Sequence, residues 1–369
     1  MNNKSNLLII SVLLILLTFA SCRSVEPQPE ETVESVTSFY LLNEGSWGAN
    51  NASLDFYDYQ TNVYRKNIFS QVNPNVIGGL GDVGNDLQLY GGKLYAVINT
   101  SGLVEVMDAK TAQHIGKVDI ANCRNINFYN GKAYVSSYAG ASFTDGNQVG
   151  FVAEIDTATL QILRSVNAGF QPEEIEFLNG KMYVANSGGY TTTFDNTISV
   201  IDLQTFTETK KITVAINLLN LRKDNYGKLY ALGRGNYYDI DPDIYVIEND
   251  IMTKKLGIGY ASNFCISGDS LYALSNQTDW ATETTISKFV IYNIKNQQIV
   301  TENFITDGSQ AEIKMPYGIT VNPISKEIFI TDASNYTTSG ALFCFSPQGK
   351  KLWNVAAGVC PNRIAFLKK

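Results

Sequence analysis

The chain has 369 residues, 28 Lys and Arg against 35 Asp and Glu, a formal net charge of −7, and 44% hydrophobic residues. A mildly acidic chain whose cations are scattered has no basic stripe to neutralise phosphates, which argues against nucleic acid as a partner. Its apolar fraction suits a packed globular body, and the five cysteines show no CxxC spacing of a zinc or redox motif.

Lys4 precedes the apolar run LLIISVLLILLTF, which is short for a membrane span, and small residues lead directly into Cys22. This pattern predicts a bacterial secretory signal over 1–21, with Cys22 as the acylated N-terminus of a lipoprotein. Residues 22–38 are polar, acidic and Pro-containing, as a flexible lipidated tether requires. The folded body then runs over 39–369, about 330 residues, room for two ordinary domains or one large repeat architecture.

Within that body one unit recurs: an apolar run, a Gly-Lys turn and a Tyr-led strand, as in QLYGGKLYAVINT, FYNGKAYVSSYAG, FLNGKMYVANSGG and DNYGKLYALGRGN. The strand leaders are Tyr40, Tyr95, Tyr134, Tyr183, Tyr230, Tyr272 and Phe329, at the repeat length of a four-stranded propeller blade with loop insertions. A second anchor follows, in which alternating apolar residues end at Asp58, Asp108, Asp156 or Asp202 with Thr three residues on. An Asp there accepts from backbone amides ahead of it and nucleates a hairpin turn. Helix periodicity is essentially absent, so each unit holds strands A to D, and the units number seven. The first unit lacks an A strand, and the C-terminal PNRIAFLKK has the form of one. The expectation is an all-β, seven-bladed propeller with four-stranded blades, closed by the C-terminal strand joining the first blade.

In such a ring the B-to-C and D-to-A connections share one face. The B-to-C loops vary in sequence, yet nearly all join an aromatic to Asn, Asp or Gly. They offer Glu44 and Trp47; Asn99; Tyr138 and Phe143; Asn186 and Tyr190; Arg234, Tyr237 and Tyr238; Asn276 and Trp280; and Asp332, Asn335 and Tyr336. The D-to-A side adds Arg124 and, among others, Asn122, Gln171, Tyr317, Asn362 and Arg363. One loop Tyr packs on a neighbour and one loop Asn caps a turn. Aromatics recurring around a common axis instead make a binding face for a large, partly apolar ligand with many hydrogen-bonding groups.

Catalytic sets are poor by comparison. His114 is the only histidine and falls on an outer strand, which removes a Ser-His-Asp triad or a histidine metal site. Asp239, Asp241 and Asp243 lack the turn glycine and terminal Glu of a calcium loop and are read as a solvated loop. No catalytic or metal-ligating residue and no resident cofactor is expected. Cys123, Cys265, Cys344 and Cys360 are read as buried free thiols, with no disulfide assignable from spacing.

The segments YGITVNPISKEIFITDASNYTTSGALFCFSPQGK and FYLLNEGSWGANNASLDFYDY resemble the BtuG family, surface-exposed propeller lipoproteins of Bacteroidetes within the YncE-like seven-bladed group. The resemblance spans the body from Phe39 to the end. It implies a non-catalytic outer-membrane lipoprotein, held by its lipid at the cell surface. Such a protein captures cobalamin or a related corrinoid and passes it to a TonB-dependent, BtuB-like transporter. Two other readings stay open on the residues alone: a glycan-binding surface lipoprotein and a protein-interaction propeller.

Overall fold

The structure, a computed structural model, describes residues 34–140, 148–191, 193–279, 282 and 284–369. Cys22, Phe143 and Trp280 lie outside the described residues, as do the signal segment and most of the tether.

Among the described residues are seven four-stranded antiparallel sheets. Each is one predicted unit, and every Tyr-led strand is strand B of its blade. Blade 2 shows the pattern: A Gly84–Tyr90, B Lys93–Ile98, C Leu103–Asp108 and D His114–Asp119. Blade 1 takes B, C and D from Val36–Asn43, Ser53–Asp58 and Val63–Arg65, and its A strand from Pro361–Lys368 at the other end of the chain. Phe39 pairs with Phe366 and Leu41 with Ile364, so the ring closes as the sequence predicts. The ladder begins at Val36, ahead of the expected boundary at Phe39, because Val36 pairs with Lys368.

Strands B and C are buried almost along their whole length, as in Lys93–Ile98 and Leu103–Asp108, because both faces of a blade pack on neighbours. Between blades 2 and 3, Val97, Val106, Ile126 and Val135 are buried in one cluster. At the closing seam, Phe39, Phe329, Leu342 and Cys344 are buried against Trp353 and Phe366. There the chains approach closely: a Cβ on Gly318 would lie 2.4 Å from the Asn362 carbonyl oxygen and 2.8 Å from Thr331 Oγ1. The hairpin aspartates act as predicted. Asp108 Oδ1 accepts from the amides of Lys110 and Thr111, and Asp156 and Asp202 repeat the arrangement. Among the described residues, helix is confined to Ile68–Val72 and a 3₁₀ turn at Ser309–Glu312, both in connections. His114 stands on the outer strand of blade 2, its Nδ1 paired with Glu105. Cys123, Cys265, Cys344 and Cys360 are free thiols.

Two backbone features set the loop face. In six blades the residue before strand A is left-handed and none of these is glycine: Val83, Asn122, Gln171, Asn217, Tyr260 and Cys360. All seven A strands then carry a register shift after their first residue. Such a bulge turns the strand and re-aims side chains. Here the residues at or just after the shift include Arg124, Glu173, Glu174 and Arg363, whose side chains meet one another across the blades.

Candidate functional site at the channel mouth

One hydrogen bond repeats around the ring. A backbone N–H from the loop-face end of strand B donates to the carbonyl of the residue before strand A, at 2.7–3.1 Å in all seven blades. In six it belongs to the first residue after strand B, and in blade 6 to Asn276, within the longer strand Ser270–Asp279. The donors are Glu44, Asn99, Tyr138, Ser187, Arg234, Asn276 and Ala333. In six blades this bond fixes where the B-to-C loop leaves the sheet, while in blade 6 the strand pair runs on to Asp279 and Thr284. The seven donor positions form the rim of the channel. Of the loop residues read from the sequence, Glu44, Asn99, Tyr138, Arg234 and Asn276 hold rim positions. In blades 4 and 7 the rim residue lies one position beyond the predicted Asn186 and Asp332.

Inside the rim is a buried network built on blade 4. Glu173, fully buried, accepts from Arg124 Nε (3.2 Å) and Nη2 (3.4 Å), from Asn125 Nδ2 (3.4 Å) and from the Tyr138 hydroxyl. The Arg124 guanidinium also lies 4.8 Å from the Tyr138 ring centroid. Asn85, with its amide oxygen toward the guanidinium, accepts from Arg124 Nη1 at 2.7 Å and Nη2 at 3.1 Å. Burial pulls the Arg124 guanidinium down, but the Glu173 carboxylate and then Tyr138 more than offset this and hold it above the ordinary arginine value. Arg234 is fixed by Asn217, whose Oδ1 accepts from Nε (3.1 Å) and Nη2 (2.7 Å).

Next along the same strand, Glu174 bridges two further arginines. It accepts from Arg222 and, at 2.6 Å, from Arg363 Nη2, while Asn220 Nδ2 donates to it at 2.9 Å. Four of the seven arginines in the chain therefore converge on two adjacent carboxylates. Buried charges persist only when paired and hydrogen-bonded, and such lattices are rigid. On the blade 1 side, Glu44 accepts from the Tyr317 hydroxyl (2.8 Å) and from Asn362. Burial raises the Glu44 carboxyl above its usual range, against the lowering effect of those two donors. Glu174, Arg222 and Arg363 line a cavity of about 510 Å³, whose wall also includes Gln88, Asn127, Glu176 and Thr320 together with apolar residues such as Ile126, Ile319 and Ile364.

Outside the rim stand the aromatics. Trp47, Tyr190, Tyr237, Tyr238 and Tyr336 are exposed, Tyr238 almost wholly at 97%. Tyr190 meets Tyr138 edge-on with centroids 6.4 Å apart, Tyr336 meets Tyr317 at 5.8 Å, and Tyr237 meets Phe194 at 6.2 Å. The arrangement is a rigid charged centre with apolar platforms around it, and it suits binding.

Several predicted polar contacts are committed inside the protein instead. Asn186 is fully buried, accepting from the Gly169 amide and donating to Thr197 and Ser199. Asp332 accepts from the amides of Lys314, Met315 and Ser334, and Asn335 caps its own loop at Thr337 and Thr338. Asn99 donates to Asn122 and Cys123, and Asn276 to Ser262 and Pro316. These residues shape the loops and have few donors left to offer a ligand. Glu173 and Glu174, by contrast, were not among the predicted site residues. Their signal was the acidic pair in QPEEIEF at the strand position where blades 3 and 1 carry Arg124 and Arg363.

The fold recurs in solved structures. A quinonprotein alcohol dehydrogenase-like protein of Bacteroides thetaiotaomicron superposes with a TM-score of 0.58 at 17% identity, covering 91% of this chain and 79% of that one. A putative 6-phosphogluconolactonase of Bacteroides uniformis gives 0.61 at 10%, covering 90% and 100%. The periplasmic gluconolactonase of Pseudomonas aeruginosa gives 0.60 at 13%, covering 89% and 99%. At these identities the likeness is one of fold alone. No curated protein matches the chain in sequence. Residues 37–355 match the domain of unknown function DUF5074, and the chain belongs to that family.

Proposed function

We propose that this propeller is a non-catalytic capture protein, lipid-anchored through Cys22 at the outer-membrane surface, that binds a corrinoid such as cobalamin on its loop face. It would hand the ligand to a TonB-dependent transporter. The observation that carries this reading is the pairing of the exposed rings of Trp47, Tyr190, Tyr237, Tyr238 and Tyr336 with the fixed guanidiniums of Arg124 and Arg234. A corrin bearing peripheral amides needs both flat apolar contact and fixed polar partners, and a preorganised site lowers the ordering cost of binding.

Titration of the purified mature protein with cyanocobalamin and with a glycan panel tests the reading. Cobalamin is expected to bind, and loss of Tyr190 or Tyr237 to Ala is expected to cost about 2 kcal/mol each, roughly thirtyfold in affinity. Binding of a glycan in place of cobalamin, or wild-type affinity in the double variant, would overturn it. His114 stands on an outer strand, so no imidazole is at hand to displace an axial group of cobalt. The visible spectrum of bound cyanocobalamin should therefore match that of the free form. A shift typical of axial exchange would refute this binding mode.

A further inference from the structure

On the side of the mouth formed by blades 3 to 5, two guanidiniums share one carboxylate. Glu173 has about four acceptor sites, and Arg124, Asn125 and Tyr138 fill them with four hydrogen bonds. Arg234 Nη2 lies 3.8 Å from Glu173, beyond hydrogen-bonding distance, and the acceptor of Arg234 is the neutral amide of Asn217. Among the described residues, Arg234 Nη1 has no acceptor. Glu44 is held on the blade 1 side by Tyr317 and Asn362, and Asp86 and Glu174 pair with Arg363 and Arg222. One positive charge at the mouth therefore lacks a counterion of its own.

The backbone beside it leaves room. A Cβ on Gly189 would stand 3.1 Å from both Arg234 Nη2 and Asn217 Oδ1, so glycine here lets the loop pass directly over the guanidinium. The next residue is Tyr190, whose amide donates to Gln171 Oε1 at 2.7 Å and whose ring is largely exposed. A fixed guanidinium with a free edge, next to an aromatic platform, has the geometry that receives a carboxylate or phosphate oxygen.

We propose that Arg234 is an anion subsite, taking a singly charged carboxylate or phosphodiester group of a ligand whose flat apolar part lies on Tyr190. The inference rests on placing the ligand at this mouth and adds that the ligand is anionic there. In a corrinoid the group would be the phosphodiester of the nucleotide loop, which cobalamin has and cobinamide lacks.

The test uses the mature protein and its Arg234→Gln and Arg234→Lys forms, each checked for an unchanged melting profile. Methyl phenyl phosphate, a singly charged phosphodiester, benzoate and neutral benzyl alcohol serve as probes. Wild type should bind one or both anionic probes, Arg234→Gln should weaken them about tenfold or more, and Arg234→Lys should retain part of the affinity. Benzyl alcohol should respond to neither change, and whichever anion binds more tightly identifies the group. With corrinoids, Arg234→Gln should weaken cobalamin and spare cobinamide. If cobalamin does not bind but methyl phenyl phosphate or benzoate binds through Arg234, the corrinoid reading falls and the anion subsite stands. Equal anion binding by wild type and Arg234→Gln, or none by wild type, would overturn the subsite.

Discussion

Glu44 shows how one residue can serve two masters at this mouth. Its backbone N–H closes the rim in blade 1, while its carboxylate reaches across to Tyr317 and Asn362. Burial is the largest influence on that carboxyl and raises it, so the folded state holds the proton more tightly than the unfolded chain does. The contribution of Glu44 to stability is thus fully present below the ordinary carboxyl value of 4.5 and is lost as pH rises through the raised folded value. Glu44→Gln removes this dependence while keeping an acceptor for Asn362, and the Tyr317 hydroxyl can turn to accept from the new amide. The difference in Tm, variant minus wild type, should therefore move upward between about pH 4 and pH 7. The hairpin carboxylates Asp108, Asp156 and Asp202 are shifted downward and favour neutral pH, but they are common to both proteins and cancel. A difference that moves downward would mean that the hydrogen bonds to Glu44 outweigh its burial.

The strands were legible because they obey local rules. A Tyr-led alternation identifies strand B, and an Asp with Thr three residues on identifies the turn after strand C, since these side chains do the same work in each blade. The D-to-A connections were not legible, because their shared feature is a backbone conformation reached in six blades by five residue types. Asn tolerates the left-handed region, whereas Val83, at φ 58°, is β-branched and places its Cβ against the following carbonyl. The same blindness accounts for the one-residue offset at Asn186 and Asp332. Loop aromatics and amides catch the eye, but the rim position is set by a hydrogen bond to that left-handed residue or, in blade 7, to Met315. Val83 is the most strained of the set, and Asn99 donates to its carbonyl at 2.7 Å, which holds the conformation in place. Val83→Gly should relieve the steric cost without moving the backbone and raise stability by about 1 kcal/mol, offset in part by the freer unfolded chain. Urea unfolding reads this directly. A loss of stability would show that packing of the Val83 side chain exceeds its strain.

At the scale of the ring, fold and site depend on the same strand. Pro361–Lys368 supplies the inner edge of blade 1 and also carries Asn362 to Glu44 and Arg363 to Glu174. Removing it exposes the inner edge of blade 1 and the flank of blade 7, strips Phe366 from Phe39 and Phe329, and leaves Glu174 short of a counterion. A chain ending at Cys360 should unfold at a temperature lower by about 10 °C or more. Truncation alone does not separate loss of the strand from loss of closure, but a rearranged chain does. Lys369 donates its amide to the Ser35 carbonyl at 2.9 Å, so both ends of the ring emerge side by side on the hairpin face. A short turn can therefore join Lys369 to Ser35 as an ordinary A-to-B hairpin, with the chain reopened at the exposed turn of Asn130 and Gly131 in blade 3. Every strand and every channel residue is retained, and only the blade closed by distant ends changes. If the architecture is indifferent to which blade is closed in this way, the permuted protein should keep the Tm of the parent within a few degrees and bind the same ligand, while the truncated one does neither. A permuted protein as unstable as the truncated one would show that blade 1 must be assembled last, from the two ends of the natural chain.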